Sequence, residues 1–141
     1  GTRNLLDHLI RFHQRNVFAA SLLTGIVSLK GVQLLCPSCR QPVTVPQQEL
    51  ASLQLQLTPA TFYHAVGCPT CDFTGISERL FLTNCICFDE ALRSRFETVP
   101  DGSSFMAGLL ADGYRGIKAE GEDLLRAGAI SPTEYLMTVI Q

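Results

Sequence analysis

Leu5, Leu6, Leu9, Ile10 and Phe12 recur at helical spacing and predict an amphipathic helix over residues 4–13. Asn16 suits the N-cap of a second helix, Val17 to Lys30, with Gly31 just past its end. Its apolar residues Val17, Phe18, Leu22, Leu23, Ile26 and Val27 cover a broad arc, so burial on several sides is expected. Gly31–Leu35 then reads as a short extended segment. Pro46 and Pro59 sit well at first helical positions, with Thr58 as a cap, which predicts helices over 46–55 and 59–65. Leu53, Leu55 and Leu57 alternate in strand fashion and compete with the first of these. Arg79 to Phe88 has strand composition, with Leu80, Phe81, Leu82, Ile86 and Phe88 apolar. Asp89 caps a predicted helix from Glu90 to Phe96, and Pro100-Asp101-Gly102 reads as a turn. Helices follow over Ser103–Leu110 and over Arg115–Ala127, the latter closed by Gly128. Ser131-Pro132-Thr133-Glu134 is the clearest helix start in the chain: Ser at the N-cap, Pro at N1, Glu at N3.

The expected fold class is therefore α+β. It is mostly helical, with a short strand region around a four-cysteine site and a helical lobe at the C-terminal end. At 141 residues the chain is one domain or two small lobes, and 46% hydrophobic residues suffice for a real core. The net charge of −2 carries no basic stripe, which weighs against nucleic acid as a partner. No stretch is long and apolar enough to cross a membrane, since Ser21, Thr24, Gly25 and Ser28 interrupt Val17–Leu29. No signal-peptide pattern is present, and the first residue is Gly1 rather than Met, as in an excised piece of a longer protein.

The chemistry lies in the cysteines. Cys36-Pro37-Ser38-Cys39 and Cys68-Pro69-Thr70-Cys71 are two Cys-x-x-Cys pairs separated by 28 residues, positions 40 to 67. A two-residue spacer lets one tight turn aim both sulfurs at a single point. Cys36, Cys39, Cys68 and Cys71 together supply the four thiolates of a closed, tetrahedral, structural Zn²⁺ site with no open position for catalysis. The competing uses are a disulfide framework, an iron site, or a thioredoxin-type thiol oxidoreductase built on one pair. Metal spacing without a secretory segment places the chain in a reducing cytoplasm.

The remaining chemical signals have simpler readings. Cys85 and Cys87 share one face of the predicted strand; a second metal site needs more ligands than two, so they are read as buried small hydrophobes. His64 lies four residues before Cys68, but four cysteines already fill the metal; His8 and His13 are read as structural. Asp72 is expected as a local turn acceptor rather than a fifth ligand. Arg40 suits either the charge of a four-thiolate centre or a solvated surface position, and Glu120, Glu122 and Asp123 a solvated helix face. No nucleophile–base pair stands at a recognisable spacing, so no catalytic residue is assigned. Lys30 and Lys118 follow Leu29 and Ile117, so neither can be the lysine of a phosphate-cradling Walker A loop. The chain is expected neither to bind nor to hydrolyse ATP by itself.

Leu35-Cys36-Pro37-Ser38-Cys39 and Gly67-Cys68-Pro69-Thr70-Cys71-Asp72-Phe73-Thr74-Gly75 resemble two knuckle motifs of the bacterial secretion ATPases that drive type II secretion and type IV pilus assembly. In that family they follow the Walker A and B motifs. Asp89–Arg93, Gly113–Gly121, Leu125–Gly128 and Ser131–Val139 resemble the family's later segments. The sequence departs from the family pattern at Leu29-Lys30-Gly31, at Ile76–Glu78, and at Asn84 in place of a Glu. The resemblance implies a zinc-bearing C-terminal region of a hexameric motor in the cytoplasm, peripheral at the inner membrane. It divides the chain into 1–34, a helical segment from the end of an ATPase domain; 35–88, the zinc-binding subdomain; and 89–141, a C-terminal helical subdomain. The implied partners are neighbouring subunits of a homo-hexamer and inner-membrane platform proteins, with neither nucleic acid nor membrane insertion. ATP and Mg²⁺ would bind only in a part of the parent outside this sequence. The alternative on the residues alone is a free-standing zinc-ribbon-like module for protein or nucleic acid.

Overall fold

The computed structural model describes residues 2–15, 19–55 and 61–140, with side chains described at 4–12, 21–55 and 61–140. The fold is α+β, as the sequence leads one to expect. Its elements in order are α1 (Thr2–Arg15), α2 (Ala19–Leu22), β1 (Gly25–Leu35), β2 (Arg40–Val43), α3 (Gln47–Leu53), β3 (Phe62–Ala65), a 3₁₀ turn (Pro69–Cys71) and β4 (Ile76–Cys87). Helices α4 (Glu90–Thr98), α5 (Gly102–Ala111) and α6 (Ile117–Arg126) follow, then α7 (Pro132–Glu134) continuing into a π-helical segment, Tyr135–Ile140. β1 pairs with β4 and β2 with β3, making two two-stranded sheets. No helix among the described residues is long and apolar enough to cross a membrane.

The chain forms two compact units: residues 1–28 with 84–115, and residues 29–83 with 116–141. The first has one core, made of Leu6 and Ile10 from α1, Ile26, Ile86, Phe88, Phe96 from α4, and Phe105 and Leu109 from α5. Asp89 caps α4 by accepting from the N–H of Leu92, and Asp101 caps α5 by accepting from the N–H of Ser104, which satisfies donors each helix leaves free. The second unit buries Val32, Leu53, Phe62, Leu82, Ile117, Leu125, Ile130, Tyr135 and Val139. Gly128, at φ +65°, ends α6 as its sequence position requires.

Three sequence expectations are corrected. The helix from Val17 to Lys30 is instead a strand from Gly25 onward; its expected cap, Asn16, lies outside the described residues. Along β1, Ile26 and Val32 are buried while Val27 and Leu29 are exposed, the two-residue period of a strand. Ala19–Leu22 keeps the expected helical form as α2, but beyond it β-branched Ile26, Val27 and Val32 favour the extended chain once β4 supplies a partner. The helix over 59–65 is replaced at Phe62–Ala65 by β3; Thr58 and Pro59 lie outside the described residues. Here the ladder to β2 overrides the start signal. The last helix keeps its start, with Ser131 accepting from the N–H of Glu134 at 3.0 Å, but turns π-helical after Glu134. The Glu134 carboxylate accepts from the N–H of Gln33 at 2.9 Å and from the Thr138 hydroxyl at 3.2 Å.

Candidate metal centre

Each knuckle interrupts a passage between strands. The chain enters the first on β1 and leaves on β2; it enters the second after β3 and leaves towards β4. Because β2 pairs with β3 and β1 with β4, the two turns are brought together from both sides. The β2–β3 register is antiparallel, with Arg40 opposite Ala65, Gln41 opposite His64, Pro42 opposite Tyr63 and Val43 opposite Phe62. Pro42 is tolerated because a two-stranded sheet leaves an edge on every strand. Two backbone bonds complete the clamp: Cys36 N–H to Gly75 O at 2.9 Å, and Val66 N–H to Cys39 O at 3.4 Å.

Within each knuckle the turn is tight. Arg40 N–H donates to Cys36 O at 3.0 Å, and Phe73 N–H donates to Cys68 O at 2.8 Å. Asp72 and Phe73 both take left-handed backbone conformations, φ +48° and +60°. Two glycines make the second turn feasible. Gly67, at φ +87°, faces Phe73 O, which a Cβ would meet at 2.5 Å; Gly75, at φ +76°, faces the Cβ of Ala65, 2.9 Å from where its own would stand.

The four sulfurs of Cys36, Cys39, Cys68 and Cys71 all lie within 4.8 Å of one another. Cys36–Cys68 and Cys39–Cys71 are each 3.9 Å apart, and Cys68–Cys71 3.8 Å. A Zn–S distance of about 2.3 Å sets neighbouring sulfurs of a tetrahedron about 3.8 Å apart. The donor set and its spacing therefore fit such an ion, and the four residues could hold a metal. Cys36, Cys39 and Cys71 are buried, and Cys68 is partly so.

Backbone donors are already aimed at the sulfurs. Cys71 Sγ accepts from the N–H groups of Cys68 at 3.3 Å and Gly75 at 3.2 Å. Burial pushes the Cys71 thiol up, but these two donors, with the Cys68 and Cys39 thiols, outweigh it and bring it down to about 6. Burial likewise raises Cys68, and the hydroxyl and N–H of Thr70 with the N–H of Cys71 leave it below its ordinary value. Cys39 goes the other way: burial, opposed only by the Gly67 N–H and reinforced by the other three thiols, takes it up to about 12.

The sequence did not single out the supports of this cluster. Thr74 donates from Oγ1 to Cys71 O at 2.6 Å and accepts from the N–H of Ile76 at 3.2 Å, locking the exit from the second knuckle. Ser77 Oγ donates to Leu34 O and Leu35 O, at 3.4 Å each. Arg40 takes the exposed surface position, one of the two expected of it. Its guanidinium donates to Gly128 O at 2.8 Å and Ala127 O at 3.3 Å, the free carbonyls at the end of α6, and lies over the ring of Tyr63.

Other expected residues fall elsewhere. Asp72 is exposed, and among the described residues only the four cysteines gather as metal ligands; His64 stays on β3 opposite Gln41. His8 is exposed on α1, and the side chain of His13 lies outside the described residues. Cys85 and Cys87 are exposed rather than buried, because the inward face of β4 belongs to Leu82, Asn84 and Ile86. Glu122 is buried rather than solvated, near Tyr135 Oη at 3.5 Å and paired with Arg126 at 3.3 Å.

Residues 2–137 match the protein family described as Type II/IV secretion system protein. The chain is similar to the type II secretion system protein E of Dickeya dadantii, with 30% identity over 140 residues that cover 96% of this chain and 27% of that protein. The same protein of Aeromonas hydrophila is 29% identical over 118 residues, 83% of this chain and 23% of that one. The type II secretion system ATPase E of Vibrio cholerae is 25% identical over 118 residues, again 83% and 23%. The chain spans about a quarter of the length of these curated relatives. With all but the ends of the sequence matched, this chain belongs to the type II/IV secretion system protein family.

Proposed function

We propose that the chain is the zinc-stabilised C-terminal region of a secretion ATPase, with a structural and interaction role and no nucleotide site of its own. Residues 1–34 would close the ATPase domain, 35–88 form the zinc-binding subdomain, and 89–141 the C-terminal helical subdomain. The observation that carries this reading is the sulfur quartet at tetrahedral spacing, in a chain related to proteins named type II secretion system protein E. Cys36, Cys39, Cys68 and Cys71 would hold Zn²⁺. The ion supplies a cross-link between two turns 28 residues apart and, with four sulfurs around it, no open position for a substrate. The parent would turn over ATP with Mg²⁺ in a part not contained here. It would work as a hexamer in the cytoplasm, against neighbouring subunits and inner-membrane platform proteins.

Elemental analysis with zinc-edge X-ray absorption tests the metal. One tightly held zinc per chain in an all-sulfur shell is expected, lost on Cys36→Ser or Cys71→Ser. A chain without zinc, or one whose zinc survives both substitutions, overturns the reading. Calorimetry tests the rest, with no micromolar ATP binding expected from this chain; such binding would place a nucleotide site in it.

A further inference from the structure

Cys85 and Cys87 lie on β4 within the first unit and take no part in the four-cysteine cluster. The alternation of β4 buries Leu82, Asn84 and Ile86 and turns Phe81, Thr83, Cys85 and Cys87 outward. Both thiols are free and exposed, and their sulfurs stand 3.8 Å apart. That is the separation found between Cys68 and Cys71, and about the edge of a thiolate tetrahedron around zinc.

The strand backbone holds the pair ready for an ion rather than for a disulfide. Residues two apart on a strand have Cα atoms about 6.6 Å apart, near the upper limit for a disulfide. Closing one would buckle β4 at Ile86, whose side chain is buried in the first core. Binding an ion between the sulfurs asks for no backbone movement. The sulfurs also resist joint ionisation: Cys87 raises the Cys85 thiol, first through their shared hydrogen bond and then through charge. A dication replaces that repulsion with two attractions.

We propose that Cys85 and Cys87 form a second, open metal site, a solvent-facing dithiolate that binds one soft d¹⁰ dication, Zn²⁺ or Cd²⁺, in exchangeable fashion. Thiolate sulfur selects ions of this class over Mg²⁺ and Ca²⁺. Two protein ligands leave coordination positions for water or a small thiol. The site is therefore weak and labile, in contrast with a closed four-sulfur site.

The test uses the full chain, loaded with zinc and freed of excess metal by a weak chelator, and a colorimetric thiol reagent. Two thiols per chain react fast, and zinc added at about ten times its dissociation constant slows both about tenfold. In Cys85→Ser or Cys87→Ser the remaining fast thiol reacts at one rate with or without added zinc. The double variant shows no fast thiol while keeping the tightly held zinc. Both positions are exposed, so serine leaves the melting temperature in place. If the four-cysteine cluster holds no metal, more than two thiols react fast, and the difference between wild type and double variant still isolates the pair. Two fast thiols indifferent to added zinc, or protection that persists in the single variants, overturns the proposal.

Discussion

The two units solve the same problem with different means. In the first, Phe88, Phe96 and Phe105 form a triangle: two edge-to-face contacts at centroid distances of 5.5 Å and one stacked pair at 5.8 Å. Leu6, Ile10, Ile26, Ile86 and Leu109 surround it. In the second, one apolar core lies among β1, α3, β3, β4, α6 and the final segment, but the knuckles stand apart from it. The cluster around them contains Cys36, Cys39, Cys71, Ala65 and Cys68, and no large apolar side chain. Aromatic burial holds a unit through many small contacts. A knuckle region without such contacts would depend on a cross-link such as the proposed zinc, with little else to replace it.

The sharpest way to break this contrast is to take the cross-link away. Chelation, or Cys39→Ser, should cost the knuckles on the order of 10 kcal/mol of apparent metal-binding energy. Hydrogen exchange should then show residues 36–76 losing protection while α4 and α5 keep theirs. A cooperative melt that survives chelation within a few degrees would place the stability of this region in its apolar contacts instead.

The converse is Phe105→Ala. It removes one corner of the aromatic triangle and should destabilise the first unit by about 3–5 kcal/mol. Zinc stoichiometry should stay at its wild-type value, and loss of zinc in this variant would join what the comparison separates.

A smaller effect sharpens the second unit's own core. A Cβ on Gly121 of α6 would stand 2.7 and 2.8 Å from the two methyl carbons of Val139. Gly121→Ala should cost about 1–3 kcal/mol in steric strain, more than the roughly 1 kcal/mol gained in helix propensity. Pairing it with Val139→Ala should recover much of the difference in a thermal melt.

The smallest effect concerns acid. Asp101 accepts from the N–H of Ser104 at 2.8 Å, and that bond, outweighing burial, holds its carboxyl below the usual value. A carboxyl depressed on folding stabilises above its unfolded pKa, and that contribution fades as pH falls towards the folded one. Asp101→Asn should flatten the melting-temperature profile of the first unit below about pH 4 and leave neutral pH little changed.

Local rules carried much of this fold into the sequence. Asp89 and Ser131 are read as caps and act as caps, Gly128 ends α6, and the strand around Leu82–Ile86 lies where its composition puts it. Each of these depends on a side chain bonding its own next few residues, or on a period of the chain itself. Val17–Lys30 failed for the opposite reason. Ile26 and Val27 fit a helix face and a strand alike, and only pairing with β4 separates the two. Phe62–Ala65 failed the same way, with β2 as the deciding partner.

The four cysteines were identifiable from sequence because a two-residue spacer fixes how two sulfurs point, whatever surrounds them. What sequence alone determined is thus everything set within a few bonds: caps, turns, the paired cysteines of each knuckle and the α+β class. Tertiary structure decided what depends on distant neighbours. It brought the two pairs together through β1–β4 and β2–β3, sent Arg40 to the end of α6, and buried Glu122 beside Tyr135. It also turned Cys85 and Cys87 outward, because a strand has two faces and only packing chooses which one meets the core.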